Sequence, residues 1–194
     1  MVHHCAGHGC LASRDWAIPA GHVLMRGYFA IGAEGISKPM NLGALMRTAH
    51  AFGASFTFSV SAADRIKMAY KSDTSKSFEH VPYYGWETID DMALPKGCQL
   101  VGIELTDDAV MLPTFRHPPA AAYVLGRERG DLSEEMLEKC AHVVKIPTKF
   151  CINVSLAGAL VMYDRHISMG GYAPRPIMPG GVGGDGKEQT VKRT

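Results

Sequence analysis

The chain has 194 residues, with 20 Lys+Arg set against 19 Asp+Glu and 46% apolar residues. That length suits one domain whose core needs neither disulfide nor metal, and the near-zero net charge means that any affinity for a polyanion must come from a local patch. No uninterrupted apolar run reaches bilayer-spanning length, which excludes a membrane span. Five cysteines cannot all pair within one chain. With a start that has no apolar signal-peptide core, they point to reduced thiols and a cytoplasmic setting.

Residues 1–26 read as an N-terminal leader, flexible at its start. It opens with His3, His4, Cys5, His8 and Cys10, but their spacing is irregular and falls on a glycine-bearing terminus, so no metal is expected. Tyr28 to Gly32 reads as a buried strand. Asn41 to Phe52 reads as a helix, with Pro39 near its first turn and Gly53 past its end. Ser55 to Val60 is the next strand, followed by a shorter amphipathic segment, Ala62 to Tyr70. Trp86 to Leu94 can form a helix and Gln99 to Ile103 a strand.

The last third repeats the alternation: Ala121 to Leu125 as a strand, Ser133 to Cys140 as a helix, Val143 to Ile146 as a strand and Ile152 to Ile167 as a long helix. Asp131 with Glu134 has capping-box spacing, which sets the turn Gly126 to Gly130 between a strand and a helix N-terminus. Residues 170–194 form a Gly/Pro-rich tail, expected to be flexible. Alternating strands and helices predict an α/β domain over residues 27–169, with a mostly parallel sheet covered by helices on both faces.

Ligands of such sheets bind at the C-terminal ends of the strands. Neither Gly-x-Gly-x-x-Gly after the first strand nor Gly-x-x-x-x-Gly-Lys-Ser/Thr occurs, so neither of these phosphate-cradling loops is present. Three other stretches fall at strand ends: Lys38-Pro39-Met40-Asn41-Leu42-Gly43-Ala44-Leu45-Met46-Arg47-Thr48, then Leu125-Gly126-Arg127-Glu128-Arg129-Gly130, then Ile146-Pro147 and Ile152-Asn153-Val154-Ser155-Leu156-Ala157-Gly158-Ala159. In this order and spacing they resemble the signature of the SpoU-type (TrmH-like) RNA ribose 2′-O-methyltransferases of the SPOUT superfamily. The likeness spans about Tyr28 to Ser168. In one respect the second stretch departs from it: the closing glycine comes one position early, at Gly130, and Asp131 takes its usual place.

The resemblance implies a C-terminal deep trefoil knot, S-adenosyl-L-methionine as cofactor, no metal, a tRNA or rRNA substrate and a homodimer. It implies a cofactor site made by Glu104, Leu105, Gly126, Ile146, Ile152, Asn153 and Ser155, and catalytic roles for Arg47, Asn41, Glu128 and Ser155. Asn153 reads equally as a plain helix N-cap, which is compatible with bracing the cofactor loop. Arg47 stands on an otherwise apolar helix face and would contact the target phosphate and ribose. It is often assigned as general base, but a guanidinium normally stays charged, so the alternative is a fixed cation that stabilises a developing 2′-alkoxide. Arg65, Lys67, Lys71 and Lys76, with Tyr70 and Phe78 interleaved, form the candidate RNA-facing patch; the bland reading is a solvated face. The rival from another class is a non-catalytic RNA-binding or ribosome-assembly protein that kept the fold.

Overall fold

The computed structural model describes residues 27–63, 80–127, 130–170 and 172. Strand β1 (Tyr28–Glu34) leads into helix α1 (Pro39–Ala51) and strand β2 (Phe56–Val60). There follow β3 (Tyr83–Trp86), β4 (Gln99–Ile103), the two-residue β5 (Val110–Met111) and β6 (Ala120–Leu125). A short helix α2 (Glu134–Lys139), strand β7 (His142–Lys145) and the long helix α3 (Val154–Met169) complete the order.

The strands form one seven-stranded sheet in the order β3-β2-β1-β6-β4-β7-β5. Every pairing in it is parallel. A parallel sheet is covered on both faces, which is why its central strands are apolar throughout and do not alternate with polar residues. In β6 every residue after Ala120 is buried. Successive side chains go to opposite faces. On one face Ile31, Tyr123 and Leu125 share a core with Leu42, Leu45 and Met46 of α1 and Val161 and Met162 of α3. On the other, Ala30, Ala122 and Val124 pack with Phe56, Phe58, Leu132 and Met136.

Helices α1 and α3 lie against each other on the first face, and Gly158 sets how closely they approach, since a Cβ there would collide with Leu45 Cδ1. The C-terminal half of α3 is fastened to the N-terminal edge of the sheet by Arg165, which is buried. Its Nη1 donates to Pro118 O at 2.7 Å and Tyr123 Oη at 3.1 Å, and its Nη2 to Pro119 O at 2.9 Å and Tyr28 O at 3.3 Å. His117 extends the network, bonding Tyr123 Oη through Nδ1 at 2.6 Å and Asp164 Oδ2 through Nε2 at 2.9 Å.

Two expectations from the sequence are corrected. Trp86 to Leu94 is not a helix: Trp86 closes β3, paired with Val60, and the chain then turns. The aromatic run Tyr83, Tyr84, Trp86 suits a pleated edge, and the Thr88 amide and hydroxyl both donate to Asp91 Oδ2, at 3.1 and 2.6 Å. Such local side-chain bonds compete with a helix ladder. The capping box from Asp131 to Glu134 also does not form; α2 is capped by Ser133, whose Oγ accepts the Met136 amide at 3.2 Å. Of the amides that an Asp131 cap could use, that of Ser133 is taken by Glu34 Oε2, and the neighbouring Leu132 amide goes to Glu104 Oε2. The leader up to residue 26, the Ala62 to Tyr70 segment beyond residue 63, the Arg65, Lys67, Lys71 and Lys76 patch, Glu128 and nearly all of the 170–194 tail lie outside the described residues.

Candidate functional site

The C-terminal ends of β1, β6, β4 and β7 open into a cleft of about 210 Å³. Sheet order explains its place. From β1 the chain moves outward through β2 and β3 on one side, whereas β6 and β4 lie on the other, and loops diverge where strand order reverses.

The lining changes character across the sheet. Above β4 and β7 it is mainly apolar, with Ile103, Leu105, Ile146 and Ile152 along with the carboxylate of Glu104 and the hydroxyl of Thr148. Above β1 and β6 it is polar, with Lys38, Asn41, Arg127 and Asn153. Gly126 stands between the two, and a Cβ on it would come within 3.0 Å of Glu104 Oε2 and 3.1 Å of Leu132 N. A side chain there would crowd the Glu104 carboxylate and the start of the Leu132 loop, so glycine keeps the two loops packed together at the cleft. Such a cleft suits an amphiphile with a flat apolar part and a polar, charged part, not a polyphosphate.

The residues named from the third motif are joined to the first by hydrogen bonds. Asn153 caps α3: its Oδ1 accepts the Ser155 amide at 2.9 Å and the Ser155 hydroxyl at 2.6 Å. Its Nδ2 donates to Asn41 Oδ1 at 3.1 Å. One amide side chain thus does two jobs, ending α3 and tying it to the first turn of α1. Of the seven residues expected to hold a cofactor, Glu104, Leu105, Gly126, Ile146, Ile152 and Asn153 line the cleft. Ser155 does not line it and instead touches it through Asn153.

Arg47 is placed differently. It is exposed, off the cleft lining, and has no hydrogen-bond or ion-pair partner among the described residues. It sits in an exposed stripe along α1 with Met40, Ala44 and Ala51. On α3, Leu156, Leu160 and Tyr163 are 61%, 43% and 50% exposed at helical spacing, so they share one face of that helix. Three large apolar side chains are thus left uncovered on one helix face.

Two further residues escaped the sequence reading. Glu34, the last residue of β1, is 1% exposed, and Arg127 lines the cleft above it. The signal was present in part: a carboxylate at the end of a strand that is otherwise apolar either has partners or is excluded from the core. Lys145 is a third, reaching from the end of β7 to the carbonyls of Thr106 and Asp107 at 2.8 and 2.9 Å. It holds the loop that carries Leu105.

Residues 28–163 match the SpoU rRNA Methylase family. The tRNA (guanosine(18)-2′-O)-methyltransferase of Escherichia coli K12 is 28% identical over 138 residues, which is 68% of this chain and 59% of that protein. The AdoMet-bound rRNA methyltransferase of Sinorhizobium meliloti superposes with a TM-score of 0.67 at 21% identity, covering 74% of this chain and 57% of that one. The SpoU methyltransferase AviRb of Streptomyces viridochromogenes, in complex with the cofactor AdoMet, gives 0.65 at 20% identity, over 75% and 63%. This chain therefore spans less than two thirds of the length of each of these three proteins.

Proposed function

The chain belongs to the SpoU rRNA methylase family, and from that membership we propose that it methylates a ribose 2′-hydroxyl of tRNA or rRNA with S-adenosyl-L-methionine as donor, through a domain over residues 27–169 whose last third ties the deep trefoil knot. The observation that carries this reading is the Asn41–Asn153–Ser155 chain of hydrogen bonds at the polar side of a cleft whose other side is mainly apolar.

When bound, the sulfonium supplies a methyl group that is already electrophilic, so no metal is needed to activate it. The protein's part is positioning and charge. Ile146 and Ile152 offer backbone groups and apolar walls to a purine, with Leu105 beside them. Asn153 braces Ser155 and Asn41 at the methionine side. Arg47 takes the target phosphate in its planar fork and stabilises the oxygen anion as the hydroxyl proton leaves to water. Glu128, two positions after Gly126 in the sequence, is assigned to hold a guanidinium or the Asn41 amide in register.

Arg47 stands outside the cleft of its own chain, and this supports a shared site. Under this reading a second copy docks on the exposed Leu156, Leu160, Tyr163 face, and Arg47 of one protomer would serve the cleft of the other across a two-fold axis. Arg65, Lys67, Lys71 and Lys76 are assigned to the RNA backbone.

The test is incubation of the protein with labelled S-adenosylmethionine and total RNA from cells lacking the gene. Label should appear at one nucleotide whose 3′ linkage has become resistant to alkali, the mark of a blocked 2′-hydroxyl. Label on a base would overturn the ribose assignment, and no transfer with cofactor bound would favour a non-catalytic RNA-binding protein.

A further inference from the structure

Glu34, Gly35 and Arg127 form a unit that no motif above contains. Glu34 is nearly fully buried at the end of β1, and a buried carboxylate persists only with partners. Its Oε2 accepts the Ser133 amide at 2.9 Å, which fastens the loop after β6. Its Oε1 faces Arg127 Nη2 at 3.4 Å, the long limit of a hydrogen bond. That contact uses one of the five donors of the guanidinium, and the Arg127 side chain is still 50% exposed. Gly35 gives the arginine its path: its φ is +59°, and a Cβ there would lie 2.8 Å from Arg127 Cγ and 2.9 Å from Nε. Glu34 and Gly35 therefore fix the path of Arg127, a residue of the cleft wall, and leave most of its donors for a ligand.

The charges around the cleft indicate what that ligand group is. Glu104 and Asp131 line the cleft as well, and both repel an anion from their side. Arg127 and Lys38 stand on the β1 and β6 side. A ligand that seats its flat apolar part against Ile146 and Ile152 presents its other end to these cations. We propose that Arg127, aimed by Glu34 across Gly35, grips the α-carboxylate of the methionine moiety of S-adenosylmethionine, and so selects the amino-acid-bearing nucleoside over nucleosides without that carboxylate. The proposal rests on the cofactor assigned above and deepens it. A carboxylate is preferred to an RNA phosphate because Arg127 lies within the cleft wall, whereas Arg47, the cation assigned to phosphate, is outside it. A planar fork also matches a carboxylate in two-point fashion.

The experiment compares S-adenosylmethionine with decarboxylated S-adenosylmethionine by calorimetry, on the full chain and on Arg127→Ala and Glu34→Gln. Arg127→Ala should weaken the first ligand by roughly ten- to a hundred-fold, the usual size of a lost charged hydrogen bond. It should leave the decarboxylated ligand within about two-fold of wild type. Glu34→Gln keeps an acceptor for the Ser133 amide but removes the charge that aims Arg127, and should weaken only the carboxylate-bearing ligand, by a smaller factor. Circular dichroism of each variant separates loss of binding from loss of fold, and Arg127→Lys, which keeps the charge, serves if the alanine variant unfolds. An equal loss for both ligands, or no loss for either, overturns the proposal. So does unchanged cofactor binding with weakened RNA binding, which would assign Arg127 to a phosphate. Failure of the wild-type protein to bind S-adenosylmethionine would overturn this proposal together with the methyltransferase reading, whereas wild-type binding with no carboxylate dependence would overturn this proposal alone.

Discussion

Arg47 has no hydrogen-bond or ion-pair partner among the described residues, so its replacement should cost chemistry and little else. Arg47→Ala is expected to abolish methyl transfer while cofactor affinity stays within about two-fold and the melting temperature within a degree or two, because exposed helix positions away from special features contribute roughly 0.5 kcal/mol or less. Arg47→Lys should fail almost as completely, since an ammonium lacks the planar fork. Turnover at the wild-type rate in either variant would remove Arg47 from the mechanism. Asn153 is the opposite case, because it carries structure and site together. Asn153→Ala should lose about 1 kcal/mol with the cap and also lose the tie to Asn41. Asn153→Asp keeps an acceptor for Ser155 but turns an oxygen toward Asn41 Oδ1, so it should melt near wild type and still methylate slowly. Denaturant curves set beside single-turnover rates separate the two roles. At this scale Asn41 and Asn153 could be named from their motifs, but the bond between them could not, because 112 positions separate them. Glu34 could not be named either: its value comes from partners at Arg127 and Ser133 on a loop far along the chain.

Among the elements, α3 is the most constrained. Its first turn belongs to the cleft, its middle crosses α1 at Gly158, and its end is held by Arg165. Gly158→Val should push Leu45 aside and destabilise the protein by roughly 1–3 kcal/mol, read as a fall in denaturant midpoint at constant m-value. The Arg165 network predicts a pH dependence. Burial pushes the His117 pKa below its usual 6.5, outweighing the hydrogen bond and charge of Asp164, and the Arg165 charge lowers it further. The folded protein therefore keeps His117 neutral where the unfolded chain takes up a proton. Its contribution to stability is complete above about pH 6.5 and is lost as pH falls from there toward the lower folded value. The Tyr123 hydroxyl, pushed up to about 12 by burial, adds no titration in that range. Melting curves from pH 7.5 to 5 should converge for wild type and His117→Gln as acid is added, and parallel curves would show that His117 is not held neutral. The elements that could be read from sequence are those whose apolar run settles the matter: β1, β2, β4, β6, β7, α1, α2 and α3 all fall within about two residues of expectation. β3 and β5 could not be read. β5 has two residues, and β3 is an edge defined by pairing with β2, a partner that the local pattern of Tyr83 to Trp86 does not name.

At the scale of the whole molecule, the exposed apolar face of Leu156, Leu160 and Tyr163, with Arg47 standing outside its own cleft, predicts a dimer with shared sites. Arg47→Ala subunits and Gly126→Val subunits, each inactive alone, should regain activity when mixed and allowed to exchange, because one of the two sites in a heterodimer then has both halves intact. A monomer by light scattering that is fully active at nanomolar concentration would exclude this arrangement. The α/β class and its largely parallel character could be inferred from the alternation of strands and helices. Strand order could not, because nothing local marks β6 as the strand that enters between β1 and β4. That insertion has a consequence for the order in which the chain is made. β1 and β4 are synthesised before their common neighbour, so until Ala120 to Leu125 emerge each has an inner edge of unpaired amides and carbonyls. Open edges of this kind recruit other strands. A nascent chain halted before residue 120 should therefore be a client for chaperones and prone to aggregate, whereas one released beyond α3 should not. Translation pauses late in the message would tax this protein far more than early ones.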